Sequence, residues 1–508
     1  MSSNEIIQNT NIVKILPLAV IFLIGIGYRM YYFPYELPLV TDSLDYFSYA
    51  TESVFLGHLP NTWTPINNGW PMFLSFWFSI VNLENTFEYM QFQRIISLSL
   101  SALTVIPVYF LCKKFFNTKL ALIGASIFIF DPRIVLNSLL GIADPLFILL
   151  SVTALLIFLK YERKTTIFSF TLVAFTTIVR SEGIFLFLAL TILFFIKYKF
   201  SKEIFKTYFP AVLIFMLILI PIMEYRIDIT GTDGIFLRVA QGTAQTISPT
   251  NNEGIMKIVD GVELFVSYLG WIMIPTFIVF VPFGIIQFLR KRKKETNFII
   301  VLLIVSSIPI FYAYTVQAQD TRYLYVLYPI FSLISLFAVQ TYMSKTSRKG
   351  TVTILIMAGI LCASIGFYEF KNTDYEKEKE MYEIGKIISE IVSGINTNPH
   401  ESRYARIAEI PEQWPFTVHD DMYQTKIIST NGYENLYEYI QSSKDELTHI
   451  IVDNDPDLPG FLKDVYTNEN KYNYLKKIYD SKNDGFKHQV KIFEIDFEVF
   501  YSKSIVGN

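Results

Sequence analysis

The chain has 508 residues, 52% of them hydrophobic and 16% aromatic, and its mean hydropathy of +0.37 excludes a water-soluble globule of this length. The two cysteines, Cys112 and Cys362, lie in or beside apolar runs, which excludes a disulfide framework and a cysteine-based metal site. A net charge of −3 says nothing about partners, but the placement of the charges along the chain does.

Apolar runs near the length that crosses about 30 Å of hydrocarbon follow one another from the N-terminus. They are Lys14–Phe33, Met90–Leu111, Leu120–Phe130, Pro145–Leu159, Thr166–Val179, Gly183–Ile196, Tyr208–Met223, Val262–Leu289, Phe298–Val316, Tyr323–Tyr342 and Thr351–Phe370. The expectation is an α-helical polytopic membrane protein of about eleven transmembrane helices, with the short runs around Pro145 and Arg180 as candidates for broken or re-entrant segments. Ser2–Asn11 has no basic stretch and no small-residue cleavage site follows, so no signal peptide is expected.

Every second connection is basic: Lys113, Lys114 and Lys119; Lys160, Arg163 and Lys164; Lys197, Lys199, Lys202 and Lys206; Arg290–Lys294; and Lys345, Arg348 and Lys349. The positive-inside rule places these loops and the N-terminus in the cytoplasm, and the alternate loops outside. The first outer loop, 34–89, contains six Asp or Glu and no Lys or Arg. Residues 1–370 therefore form the transmembrane domain. Residues 371–508 are polar, with strand-like runs Lys426–Thr430, His449–Asp453 and Lys491–Asp496 and a helical apolar pattern from Ile384 to Ile395, which predicts a small extracytoplasmic α/β domain.

The non-cytoplasmic charges gather at outer boundaries: Asp42 and Asp45, Asp131 and Arg133, Asp144, Arg180 and Glu182, Arg226 and Asp228, Asp320 and Arg322. Charges beside hydrocarbon are costly and face a cavity or a partner, so they outline an outward-facing polar cavity. Each has a structural reading as well. Asp42 and Asp45 fit the first turn of a helix, with Leu44, Phe47, Ala50 and Val54 as the apolar stripe of an interfacial amphipathic helix. Asp144 before Pro145 has the form of an N-cap. Arg180 and Arg322 can pair simply with Glu182 and Asp320. The five histidines, His58 among them, show no metal-ligand spacing, and there is no P-loop, dinucleotide fingerprint or Ser/His/Asp constellation.

Five segments together resemble the GT-C glycosyltransferases, integral membrane enzymes that include protein O-mannosyltransferases, aminoarabinose transferases and the catalytic subunit of oligosaccharyltransferase. "DSLDYFSYATESVFLGHLP" resembles the family's first outer loop through Asp42, Tyr46, Ala50, Gly57 and Pro60, and "NNGWPMFLSFWF" the stretch that closes it. "LLGIADPLFILL" presents Asp144 where relatives carry Ser-Glu-Pro; "VRSEG" resembles their Arg-x-Glu-Gly turn, and "DTRYLYVLYPI", with Arg322 and Tyr323, their Arg-Tyr segment. Ser43 departs from the pattern, since many relatives have a second acid there.

The resemblance implies a sugar donor on a polyprenyl phosphate, met at the outer face of the bilayer by an acceptor glycan, lipid or protein, with no nucleic acid involved. Inverting transfer needs a base for the acceptor proton, which suits Asp42, with Asp45 as the alternative. The lipid phosphate leaving group needs cations, for which Arg180 and Arg322 are the candidates. Asp144, Glu182, Tyr46 and Tyr323 complete the candidate site. No cofactor is required by this reading; a hard divalent cation on Asp42, Asp45 and Asp144 is left open. A transporter or lipid flippase is the rival, disfavoured because the polar groups cluster at one face and no repeat is evident. Transfer onto asparagine ranks third, because Trp414 is the only tryptophan beyond residue 371.

The assignment of sides has a direct test. A cysteine introduced at Asn431 is expected to react with an impermeant thiol reagent on intact cells, and labelling only after lysis would reverse both sides.

Overall fold

The computed structural model describes residues 3–40, 42–160, 165–199, 202–236, 252–291, 296–371, 375–393, 405–408, 425–428, 430, 432–444, 447–454 and 458–506. The chain divides into two units. The first comprises Met1–Pro34, Asp45–Asn82 and Phe92–Asn372; the second comprises Tyr35–Leu44, Leu83–Gln91 and Thr373–Asn508, so short pieces of the first outer loop, Asp42 included, count with the C-terminal unit.

The first unit is a bundle of apolar helices. In chain order they are α1 (Ser3–Tyr31), α2 (Asp42–Leu56), α3 (Gly69–Phe78), α4 (Thr86–Leu103), α5 (Val105–Phe115), α6 (Thr118–Ile129), α7 (Pro132–Ser138), α8 (Asp144–Lys160), α9 (Thr166–Val179), α10 (Gly183–Tyr198) and α11 (Lys202–Thr230). After residues 237–251 come α12 (Asn252–Met273), α13 (Phe277–Arg290), α14 (Phe298–Thr315), a 3₁₀ turn Thr321–Leu327, α15 (Tyr328–Met343) and α16 (Lys349–Lys371). Among the described residues five helical stretches are long and apolar enough to cross a bilayer, and two more do so as bent pairs. Four shorter apolar helices, Leu16–Tyr31, Asp144–Leu159, Thr166–Val179 and Gly183–Tyr198, accompany them.

The breaks fall elsewhere than expected. The run Val262–Leu289 is not one helix: α12 and α13 meet at 109° across Ile274–Thr276, where Pro275 has no N–H to continue the ladder. The run Leu120–Phe130 continues past a 53° bend into α7, because Asp131 stops α6 and caps α7 by accepting from the N–H groups of Arg133 and Ile134. Arg133 ties the two breaks together by donating from Nη2 to Trp271 O, while its guanidinium lies 5.0 Å from the Phe367 ring centre. At Arg180 the chain turns, and α9 and α10 pack side by side.

Helix α8 orients the charges. At its C-terminal end the Lys114 and Lys197 ammonium groups donate to the carbonyls of Leu159 and Phe158. At its N-terminal end lies Asp144. Seventeen residues at 1.5 Å each separate the basic loops from Asp144 by about 25 Å, close to the thickness of the hydrocarbon. Lys119 near Gly350, and Lys291 bonded to Thr341, bring other basic loops to their own common neighbourhoods.

The C-terminal unit carries a five-stranded sheet in the order β2-β1-β3-β5-β4, from β1 (Ala405–Ala408), β2 (Thr425–Ile428), β3 (His449–Val452), β4 (Leu475–Asp480) and β5 (Lys491–Ile495). The first three are parallel and the last two antiparallel to their neighbours. Strands β1 and β4 go beyond the three runs legible in the sequence. Met381 and Ile384 of a helix at Glu376–Ser393 cover one face with Ile451 and Ile492; Ile450, Val452 and Phe493 face a larger core with Leu436, Phe461 and Phe500 on the other. All of β3 is buried, as expected of a strand covered on both sides.

Close backbone contacts set the site's frame. A Cβ on Gly69 would stand 2.6 Å from Val179 N, and one on Gly183 2.6 Å from Thr177 N. Gly69→Ala is expected to lower stability by about 1–3 kcal/mol through overpacking. Gly359→Ala, in open space on α16, is the control and should be neutral or slightly stabilising. Thermal unfolding in detergent compares the two, and equal melting temperatures would dismiss the contact.

Candidate active site

Four chain segments converge at the N-terminal end of α8. Asp144 starts α8, Arg180 and Glu182 form the α9–α10 turn, α14 brings Ser306, Pro309 and Ile310, and the 3₁₀ turn brings Arg322 and Tyr323. Together they line a narrow cleft of about 50 Å³. Its lower wall is apolar, with Phe147, Phe185 and Leu186, so charged groups meet a greasy floor.

Arg180 is held on two sides. Nη1 donates to Asp144 Oδ1, and Nη2 donates to Glu182 Oε1 at 2.9 Å. Its guanidinium also lies 5.8 Å from the Phe147 ring centre and 5.7 Å from that of Tyr323. The Arg180 side chain is 16% exposed and that of Asp144 only 4%, so each charge depends on the other for neutralisation. Arg322 pairs through Nε with Asp320 Oδ2 at 2.5 Å, and Asp320 also accepts from the Arg322 backbone N–H at 2.8 Å as the cap of its turn. Both pairings that the sequence offered as a simple surface arrangement therefore form. They form inside the rim of a cleft, and the Asp144 contact, 36 residues away in sequence, is added to them.

The cleft thus unites Asp144, Arg180, Glu182, Arg322 and Tyr323 from the sequence-derived set. Tyr46 is buried and does not line the cleft. Asp42 and Asp45 do not line the cleft. They sit in the first turn of α2, whose buried residues are Ser43, Leu44, Tyr46, Phe47, Tyr49 and Ala50; Val54, expected on the apolar stripe, is 38% exposed instead. The helix is packed rather than floating at an interface: Phe47 meets Phe78, and Tyr49 meets Trp63 and bonds to Tyr225. Among the described residues no group of three or more His, Cys, Asp or Glu side chains is placed to hold a metal ion.

The loop between α2 and α3 is anchored to the same corner. Asn67 Oδ1 accepts from Ser181 N at 3.3 Å, next to Arg180. Arg226, expected at an outer boundary, is buried and donates to Pro65 O and Asn68 Oδ1. Trp63 donates to Glu52, occupying the third carboxylate of the opening acidic stretch. Trp70 and Gln93 both donate to Gly141 O, three residues before Asp144. The sequence reading missed Arg29, which is wholly buried and donates to Gly25 O, Ile129 O and Ser101 Oγ. Its signal was an arginine within an otherwise apolar run.

The fold is similar to those of two solved proteins, ArnT and the oligosaccharyltransferase AglB. The chain is similar to ArnT from Cupriavidus metallidurans in the apo state, with a TM-score of 0.54 at 9% identity over 96% of this chain and 98% of that one. It is also similar to the oligosaccharyltransferase AglB from Archaeoglobus fulgidus in complex with an inhibitory peptide and a dolichol-phosphate, with a TM-score of 0.57 at 11% identity over 94% and 74%. The apo form of the Archaeoglobus fulgidus oligosaccharyltransferase aligns with a TM-score of 0.56 at 11% identity over 87% and 70%. A profile of the Alg9-like mannosyltransferase family matches residues 260–404. No curated protein sequence matches.

Removal of Asp144 tests the arrangement of charges. Asp144→Ala is expected to cost about 1.5–3 kcal/mol, as for a lost hydrogen bond between charged groups. Glu182→Ala should cost less because Glu182 is 26% exposed. Thermal unfolding of the two variants gives the order, and a larger loss for Glu182→Ala would make Asp144 the minor partner.

Proposed function

We propose that this chain moves a sugar from a polyprenyl-phosphate donor to an acceptor hydroxyl or amide at the outer face of the membrane, with inversion at the anomeric carbon. The observation that carries the reading is the cleft at the N-terminal end of α8, which joins two arginines to an apolar wall within a GT-C fold. A lipid-linked phosphate has those two parts, an anion and a hydrocarbon tail, and the dolichol-phosphate bound to AglB is of the same kind.

The division of labour follows from charge. Departure of the lipid phosphate leaves negative charge at the former glycosidic oxygen, and a guanidinium placed there stabilises the transition state. Arg180 is saturated by Asp144 and Glu182, whereas Arg322 shares a more exposed pair with Asp320, 27% and 29% exposed. Arg322 is therefore the arginine that contacts the phosphate, and Arg180 holds the α8 and α9–α10 walls in place. The acceptor loses its proton as the anomeric centre gains oxocarbenium character, and a first-loop carboxylate takes it: Asp42, with Asp45 as the alternative. The α/β unit is the part assigned to binding the acceptor.

Asn caps helices about as well as Asp, so Asp42→Asn separates capping from catalysis. As the base, Asp42 should show a turnover loss of roughly 10²–10⁴-fold with donor binding retained. Arg322→Ala should instead weaken donor binding by about 10- to 100-fold, the worth of a charged hydrogen bond. Both are read by radiolabelled sugar transfer and donor binding in proteoliposomes. An active Asp42→Asn moves the base to Asp45; an active Asp45→Asn as well would leave the acid pair as a cap.

A further inference from the structure

A second concavity lies in the transmembrane unit, toward the basic ends of α13 and α15. Its floor is formed by Val279, Phe280 and Phe283 of α13, Ala338 and Val339 of α15, and Ile356 of α16, and its volume is about 460 Å³. Val279 and Phe283 are 58% and 61% exposed, so the groove opens sideways to hydrocarbon. Toward the basic end the lining turns polar, with Gln287, Thr341, Tyr342 and Lys345. Lys291 donates to Thr341 at 3.3 Å, which brings a second ammonium group to the mouth. From Val279 to Lys291, twelve residues of α13 carry the lining from greasy to cationic over about 18 Å, roughly one leaflet.

We infer that this groove is a binding site for one anionic phospholipid of the basic-side leaflet, its acyl chains on the α13–α15 floor and its phosphate between Lys345 and Lys291. A polyprenyl phosphate also joins an anion to a tail, but the donor site proposed above lies at the opposite, acidic end of the apolar layer, whereas this groove opens at the basic end. A zwitterionic phospholipid adds a positive headgroup against two lysines. The charge gradient along the groove selects the anionic one, and the site is independent of the transferase reading.

The test uses the full chain, purified and delipidated, with bound lipid followed by native mass spectrometry and thermal unfolding. Dioleoylphosphatidylglycerol should be retained and raise the melting temperature more than dioleoylphosphatidylcholine. Lys345→Glu, an exposed surface change that spares folding, should cut that preference by about fivefold or more, the worth of one lysine at an anionic surface. Ala338→Trp, which fills the floor, should lower retention of both lipids. Equal retention of the two lipids, a preference unchanged in Lys345→Glu, displacement by polyprenol alone, or the same stabilisation by glycerol phosphate without acyl chains would each overturn the site.

Discussion

A guanidinium that cannot leave its cleft without breaking two carboxylate contacts is the constraint on which this corner of the molecule is built. Arg180 lies next to hydrocarbon-facing helices, where an unpaired charge is expensive, and its partners come from different parts of the chain. Glu182 is supplied by the same turn. Asp144 is supplied by α8, and accepting from Arg180 fixes the start of α8 against the α9–α10 hairpin. The first outer loop is then drawn to the same place through Asn67 and Ser181, and Gly69 permits the backbone to come close enough.

The opposite end of α8 is governed by a complementary rule. Lysines from the last turns of two other helices, α5 and α10, bind carbonyls of the last turn of α8. One helix therefore has acids and arginines at its start and ammonium groups at its end. That division is physical evidence for two polar zones separated by an apolar layer, independent of any count of spans.

Much of this was legible in the sequence because a bilayer imposes long apolar runs and segregated charges. Arg180 with Glu182, and Arg322 with Asp320, are two residues apart, so their pairing is a local matter. Their shared cleft was legible only through the sidedness of the loops that carry them. The 109° bend between α12 and α13 was not, since hydropathy reports greasiness and carries no direction; Pro275 alone marks the place. Strand β1, four residues with Ala at both ends, has too weak a pattern to stand out before its parallel neighbours are known. Arg29 was overlooked because averaging over a window hides one charge whose hydrogen bonds go to carbonyls and a serine far away in sequence.

The three acids that pair with the cleft's arginines share a position as well as a charge: Asp144 opens α8, Glu182 immediately precedes α10, and Asp320 caps the 3₁₀ turn. Each stands at a helix start, where free N–H groups and the aligned peptide dipoles contribute positive potential. The charges that line the cleft balance, Asp144 and Glu182 against Arg180 and Arg322, and Asp320 pairs with Arg322 from beside it. The backbone adds to the positive side of that balance. Asp320 accepts from both the backbone amide and the guanidinium of Arg322, so its swing away for an incoming anion would make the peptide chain itself part of the counter-charge.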